Sequence, residues 1–576
     1  MRKIPFILLL VVAAVTLINC TSVQTETEDN KKIVIYQVFT RLFGSDAENP
    51  IIDGYSDTNG IGKFDDFTTT ALDSIKAMGM THIWYTGAIE HASAYSIDTV
   101  GGMQMNHQGV IKGKAGSPYA IKDYYDVNAY MANDVDNRMG EFEALIARSH
   151  AAGLKVLIDF VPNHVARGYH SDSAPAGVID LGAEDDNRVT FDVNNNFYYL
   201  PGDSLKPQFD TTHNGVKYEE YPAKVTGNNS FSAEPQVGDW YETVKINYGV
   251  DITNNNQTHF ETIPNTWVKM KDILLFWAEK GVDGFRCDMA EMVPKEFWGW
   301  VIPQIKEQYP DMVFIAEIYN PNAYEEYIRE GGFDYLYDKV GLYDTLKSVI
   351  QGKSAVKAIT ESRKKIAPVQ SHMLNFLENH DEQRIAWREF AGSAQAGIPM
   401  MVISTFSDNI PMMIYFGQEI GVEAPEVTGF SGADGRTTIF DFWSMADYQA
   451  WRNGGKFDGA NLTADQQELR NQYIQILKMA NAEVVFTDGT FLDLTEANPE
   501  ASNTIYTFIR YTDGEAIIVA ANLSAEAATA SYTIPEGVIT EAMVSETLMG
   551  ETTKIETDNK INISLPAYGI SIIKMK

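Results

Sequence analysis

The chain is 576 residues long, with 44% hydrophobic and 21% charged side chains and a formal net charge of −33. This composition excludes a disordered chain and leaves room for a large core with attachments. The charge excludes nucleic acid as a partner, since phosphate backbones need a basic surface, and disfavours docking on anionic lipid by charge alone. A neutral substrate is indifferent to it.

The first element is a targeting segment. Arg2 and Lys3 precede an almost wholly apolar run over residues 5–18. The run is too short to span a bilayer comfortably and is built like the core of a secretory signal. It ends in Leu17-Ile18-Asn19-Cys20, which resembles a bacterial lipobox, with Asn19 where a small Gly or Ala is usual. The expectation is a lipoprotein signal peptide over 1–19, a lipid anchor at Cys20 and a flexible acidic tether over 20–30. The protein would then be exported and held in the bacterial cell envelope, at the outer membrane, on its periplasmic or surface face. The alternative is a plain secreted protein with a chance cysteine. The other cysteine, Cys287, lies inside an apolar strand candidate and reads as a buried small hydrophobe.

From residue 31 to 482 strand and helix candidates alternate, which predicts a parallel α/β sheet. IVIYQVF (33–39) reads as a strand, residues 70–79 as a helix leading into THIWY (81–85), and 141–153 as a helix stopped by Gly153 just before LKVLIDF. Over about 165–250 the alternation gives way to a segment rich in Asn, Gly, Asp and Tyr, too long for a plain loop. It is expected to be a subdomain inserted after the third strand. An amphipathic helix over 267–281 then feeds GVDGFR, and MVFIAE, FDYLY (333–337), HMLNFLE (372–378) and PMMIYF (411–416) supply later strands. Thr463 and Gln466 form a capping box opening a last long helix. Residues 483–576 read as a separate all-β domain, with a hairpin at Asp513-Gly514.

Four acids close four of the apolar runs: Asp159, Asp288, Glu317 and Asp381. Carboxylates at the ends of successive strands converge only if those strands lie parallel in one sheet or barrel, and such a cluster is what acid-catalysed glycosidic cleavage needs. The segments DFVPNH (159–164), GFRCD (284–288), AEIY (316–319) and ENHD (378–381) resemble, in order and spacing, the four sequence regions of the α-amylase superfamily, glycoside hydrolase family 13. The resemblance runs from about residue 33 to the C-terminus. It implies a (β/α)8 TIM barrel with an inserted subdomain after strand 3 and a C-terminal antiparallel β-sandwich domain.

The resemblance also implies roles. Asp288 matches the nucleophile, Glu317 the general acid/base, and Asp381 the third acid that grips sugar hydroxyls. Arg286, two residues before Asp288, projects to the same side of a strand and would keep that carboxylate ionised and aimed. His164 and His380 match two histidines that bind hydroxyls of the sugar being cleaved. Tyr119 matches a tyrosine stacked under that sugar, and Asp123 reads as structural support. Asn163 matches a calcium ligand linking the barrel to the insertion. The family often carries a Lys-His pair three and four residues after the nucleophile, the His giving the calcium site a carbonyl. This chain has Glu291 and Met292 there, which puts calcium and the leaving-side specificity in question. No Gly-rich dinucleotide loop sits at a strand–helix junction, so no organic cofactor is implied.

The expected activity is retaining hydrolysis of α-glucosidic bonds, α-1,4 links in starch-like glucans or maltodextrins, with a carbohydrate-uptake complex as a partner for an anchored enzyme. Three alternatives stand beside it: a transglycosylase of the same superfamily, a hydrolase or isomerase of small α-glucosides, and a non-catalytic glucan-binding or transporter-associated protein.

Overall fold

A computed structural model describes residues 31–94, 99–100, 103–104, 106–539, 543–555 and 559–576. The signal, Cys20 and the tether expected over 1–30 lie outside the described residues.

Eight short parallel strands close into a barrel in chain order: β1 (Val34–Phe39), β2 (His82–Thr86), β3 (Lys155–Phe160), β4 (Gly284–Cys287), β5 (Val313–Ala316), β6 (Tyr335–Tyr337), β7 (Met373–Phe376) and β8 (Met412–Tyr415). β1 and β2 are buried along their whole length, as strands covered on both faces must be, which is why the sequence shows continuous apolar runs there. The expected helices form with shifted ends. The helix expected over 70–79 is Thr69–Ala77, capped by the Thr68 hydroxyl; that expected over 141–153 is Arg138–Ala151, entered from the turn Val135–Asn137; that expected over 267–281 is Asn265–Glu279. Thr463 and Gln466 make the reciprocal capping box that opens Ala464–Ala482.

Between β3 and the helix Asn265–Glu279 the strands pair only as short two-stranded ladders. One of them, Thr243–Lys245 against His164–Ala166, folds the insertion back onto the end of β3. A second excursion, between β2 and β3, has no counterpart in the sequence reading: Ile89–His91 pairs with Ile121–Val127.

The C-terminal segment forms two antiparallel sheets. Five strands are ordered Thr490–Asp493, Ile505–Thr512, Glu515–Asn522, Ile570–Met575 and Ser545–Gly550, and three are ordered Ala528–Thr533, Lys560–Leu565 and Lys554–Ile555. Alternation of side chains sorts the two faces of the larger sheet. Ile505, Ile509 and Ile518 join Tyr532, Ile561 and Ile563 of the smaller sheet in one core. Tyr506, Phe508, Ile517 and Val519 join the core that includes the barrel. Arg510 fastens the junction by donating to the backbone carbonyls of Phe406 (3.2 Å) and Ser407 (3.0 Å). Among the described residues no helix is long and apolar enough to cross a membrane.

Candidate active site

The site lies at the downstream ends of β3, β4 and β5. Parallel register sets Arg286 on β4 beside Asp159 on β3 and Ile315 on β5. Gly284 lets the strands close up: a Cβ there would lie 2.6 Å from the Val313 carbonyl oxygen and 2.7 Å from Leu157 Cδ2. Arg286 is fully buried and acts as the hub. Its Nη1 donates to Asp288 Oδ1 at 2.7 Å and lies 3.5 Å from Asp159 Oδ1, its Nη2 stands 2.8 Å from Glu317 Oε1, and its Nε donates to the Tyr337 hydroxyl at 3.3 Å. Asp288 and Glu317, brought from two strands, therefore share one guanidinium.

Glu317 is held further by the Tyr319 hydroxyl, which donates to Oε1 at 2.7 Å, and by the Met289 N–H, which donates to Oε2 at 2.7 Å. Met289 adopts the left-handed region at φ 43°. A non-glycine residue there stores strain, and here the turn aims its N–H at the neighbouring acid. Burial first, and the facing Glu317 second, push the Asp288 carboxyl well above the ordinary range, against the pull of Arg286.

The opposite side is built from β1, β2 and the segment after β7. His380 Nδ1 meets the Gln37 amide nitrogen at 2.8 Å, and its Nε2 lies 2.6 Å from the Tyr119 hydroxyl and 2.9 Å from Asp381 Oδ2. These contacts fix the ring with Nε2 facing Tyr119 and Asp381. Tyr119 stacks on His380 with centroids 5.1 Å apart and donates to Asp159 at 3.3 Å. Asp159 also accepts from the Trp84 indole at 3.0 Å. Burial alone would raise the Asp381 carboxyl, yet His380, Arg286 and Arg436 together hold it below the ordinary value. The Asp381 side chain is 29% exposed, against 8% for Asp288 and 4% for Glu317, so it is the most open of the three.

These groups line a cavity of about 330 Å³ that contains Tyr119, His164, Asp288, Glu317 and Asp381 together. All seven residues expected at the sugar site therefore meet, six at the cavity or the Arg286 hub and His380 directly behind Tyr119 and Asp381. The far wall was not read from sequence. It consists of Trp240, Phe430 and Phe440, with Lys112 paired to Glu242 at 2.8 Å. The Trp240 ring lies 5.2 Å from His164, and burial, with Lys245 and Lys112 adding to it, pushes that histidine down to about 3, so it is neutral. Tyr319 could have been found, because it stands two residues past Glu317 as Arg286 stands two before Asp288. Trp240, Phe430 and Phe440 sit in irregular segments with no period to flag them.

Asn163 is the residue expected to ligate calcium. Asn163 is buried, and its Oδ1 accepts from the Lys245 amine. Its Nδ2 donates to the Gly227 carbonyl at 2.9 Å and meets His164 Nδ1 at 3.0 Å. Calcium needs six to eight oxygen ligands, with carboxylates among them. A lysine amine against a neutral amide does not fit it. Asp123, expected as support, accepts from the Ser171 hydroxyl (2.6 Å) and from the backbone N–H groups of Tyr125 (2.8 Å), Asp172 (3.0 Å) and Ser173 (3.0 Å). With Glu90, Asp126 and Asp172 it forms an acidic group close enough to hold a metal, but Lys122 already pairs with Glu90 at 2.8 Å and Arg138 with Asp126.

A closed parallel barrel whose strand ends carry carboxylates around one buried arginine, with aromatic walls, has the architecture of a barrel enzyme with its site at the strand ends. The chain matches the family described as "Alpha amylase, catalytic domain" over residues 53–471 and belongs to it. It is an enzyme of the glycosidase class. Among curated relatives it is 23% identical over 470 residues to "Alpha-amylase 3" of Dictyoglomus thermophilum, covering 78% of this chain and 77% of that one. It is 28% identical over 324 residues to "Alpha-1,4-glucan:maltose-1-phosphate maltosyltransferase" of Cereibacter sphaeroides, covering 54% of this chain and 42% of the relative. Of solved structures, a maltogenic alpha-amylase from Thermotoga neapolitana superposes with a TM-score of 0.60 at 17% identity, over 94% of this chain and 99% of that one, a likeness of fold.

Proposed function

We propose that this protein is a retaining glycoside hydrolase that cleaves α-1,4-glucosidic bonds in starch-like glucans or maltodextrins. The observation that carries the reading is the single guanidinium of Arg286 lying 2.7 Å from Asp288 and 2.8 Å from Glu317. A retaining enzyme needs its two carboxyls close, about 5–5.5 Å apart, and shared contact with one guanidinium supports that spacing.

In this reading Arg286 occupies Asp288 Oδ1 and leaves Oδ2 to attack the anomeric carbon. The glycosidic C–O bond breaks as Glu317 gives its proton to the leaving oxygen, and a glycosyl ester forms on Asp288. Water then attacks the same carbon, Glu317 takes its proton back, and the ester breaks to free Asp288. Burial and the facing Glu317 raise the Asp288 carboxyl, and the Arg286 guanidinium opposes that rise, which favours the anion the attack needs. Asp381 stays ionised and accepts from sugar hydroxyls, with His380 Nε2 2.9 Å behind it. Tyr119 supplies an aromatic face. Residues 1–30 would place the enzyme in the cell envelope through Cys20, beside a carbohydrate-uptake complex.

A second reading, transfer to a sugar acceptor, is favoured by the aromatic wall of Trp240, Phe430 and Phe440, which would hold an acceptor and exclude water. Incubation with starch, pullulan, maltotriose and sucrose separates the readings. Net reducing ends from starch support hydrolysis. Products longer than the maltotriose supplied support transfer. Turnover of sucrose alone would contradict both.

A further inference from the structure

The two oxygens that the family resemblance reserves for a metal are here joined by a lysine. Asn163 lies three residues past the end of β3. Lys245 ends the short strand Thr243–Lys245, where it sits opposite His164. Its amine donates to Asn163 Oδ1 and, at 3.0 Å, to the backbone carbonyl of Met292, four residues past Asp288. Met292 stands where the family carries the histidine whose carbonyl serves calcium.

We propose that the Lys245 side chain replaces the metal, tying the end of β3, the inserted segment and the turn behind the nucleophile, so that the fold and the activity of this enzyme are independent of calcium. Three observations carry this. The place is filled, with Asn163 fully buried and Lys245 4% exposed. Among the described residues no carboxylate pairs with Lys245, so the oxygens around it are neutral amide and peptide groups, and a divalent ion would gain no anionic ligand while meeting an amine. The tie is also locked from both sides: the Asn163 carbonyl accepts from the Ile246 N–H at 3.0 Å, and the Lys245 N–H reaches the Val225 carbonyl at 2.9 Å. Burial pushes the Lys245 amine down to about 7, and both NH₃⁺ and NH₂ keep the two N–H donors that the contacts use. A calcium ion of the same role would be lost to chelators. A lysine delivered by the chain is not.

The proposal does not depend on which glucan is cleaved, and its test reads the melting midpoint as well as hydrolysis. Full-length protein is melted in EGTA and in millimolar calcium, together with Lys245→Met and Lys245→Asp. For the wild type the midpoint is expected to differ by less than about 1 °C between the two conditions, and hydrolysis by less than about twofold. Lys245→Met is expected to lower the midpoint by about 3–5 °C whether or not calcium is present. Lys245→Asp, which puts a carboxylate beside the two oxygens, is expected to gain a calcium-dependent rise of several degrees. A wild-type midpoint that calcium raises by more than about 5 °C, with the rise abolished in Asn163→Ala, would overturn the proposal. So would a Lys245→Met protein that melts with the wild type.

Discussion

The floor and the far wall of the cavity are built by opposite means. The floor is carried by adjacent barrel strands, and every polar group on it is fixed by another: Arg286 binds Asp288 and faces Asp159 and Glu317, while Tyr319 and Met289 hold Glu317 from the other side. The wall comes from the insertion and from segments outside the barrel strands, and it meets the floor through rings, such as Trp240 over His164. A rigid, charge-coupled floor suits a reaction whose atoms must be placed to within fractions of an ångström. An aromatic wall suits recognition of a sugar chain whose length varies. Chemistry and substrate choice should therefore separate by mutation.

The largest effect is expected on the floor. Asp288→Asn or Glu317→Gln should lower kcat by about 10⁴-fold or more while maltooligosaccharide binding, followed by tryptophan fluorescence, persists. If binding falls with kcat, floor and wall are not separable. Arg286→Lys should cost about 10²–10³-fold in kcat, because a point charge cannot serve Asp288 and Glu317 together. On the wall, Trp240→Ala should raise KM by about tenfold and change kcat by less than about threefold. A kcat loss as large as that of Arg286→Lys would move Trp240 onto the floor.

The smallest effect is on stability, and it sharpens the contrast within the floor. Asp288 is raised in the folded state, so its ionisation opposes folding above the unfolded value of about 3.9 and not below it. Asp288→Asn should therefore raise the melting midpoint by about 2 °C at pH 7, with the gain vanishing toward pH 3. Asp381 is lowered, so its charge stabilises the fold above about pH 3.9 and that contribution is lost as pH falls. Asp381→Asn should lower the midpoint at pH 7 and match the wild type near pH 3. Thermal melts across pH decide both signs.

The barrel and the floor were legible in the sequence because both are periodic. Strand ends recur, and Asp159, Asp288, Glu317 and Asp381 stand just after apolar runs whose burial the structure bears out. Arg286 follows from the two-residue period of a strand. The wall was not legible: Trp240, Phe430 and Phe440 are brought in by turns whose direction depends on tertiary contacts. The pair of Ile89–His91 with Ile121–Val127 was hidden for the same reason, since each partner is set by an irregular stretch between them. Asn163 was read through resemblance alone. The residue that changes its meaning, Lys245, lies 82 positions away in sequence.

The central claim is that Asp288 and Glu317 work as a close pair through an ester on Asp288. The direct measurement is the anomeric configuration of the first product from a maltooligosaccharide, followed by proton NMR before mutarotation. Release of the α-anomer first is the predicted result. Release of the β-anomer first would contradict the account, because inversion leaves no place for the ester.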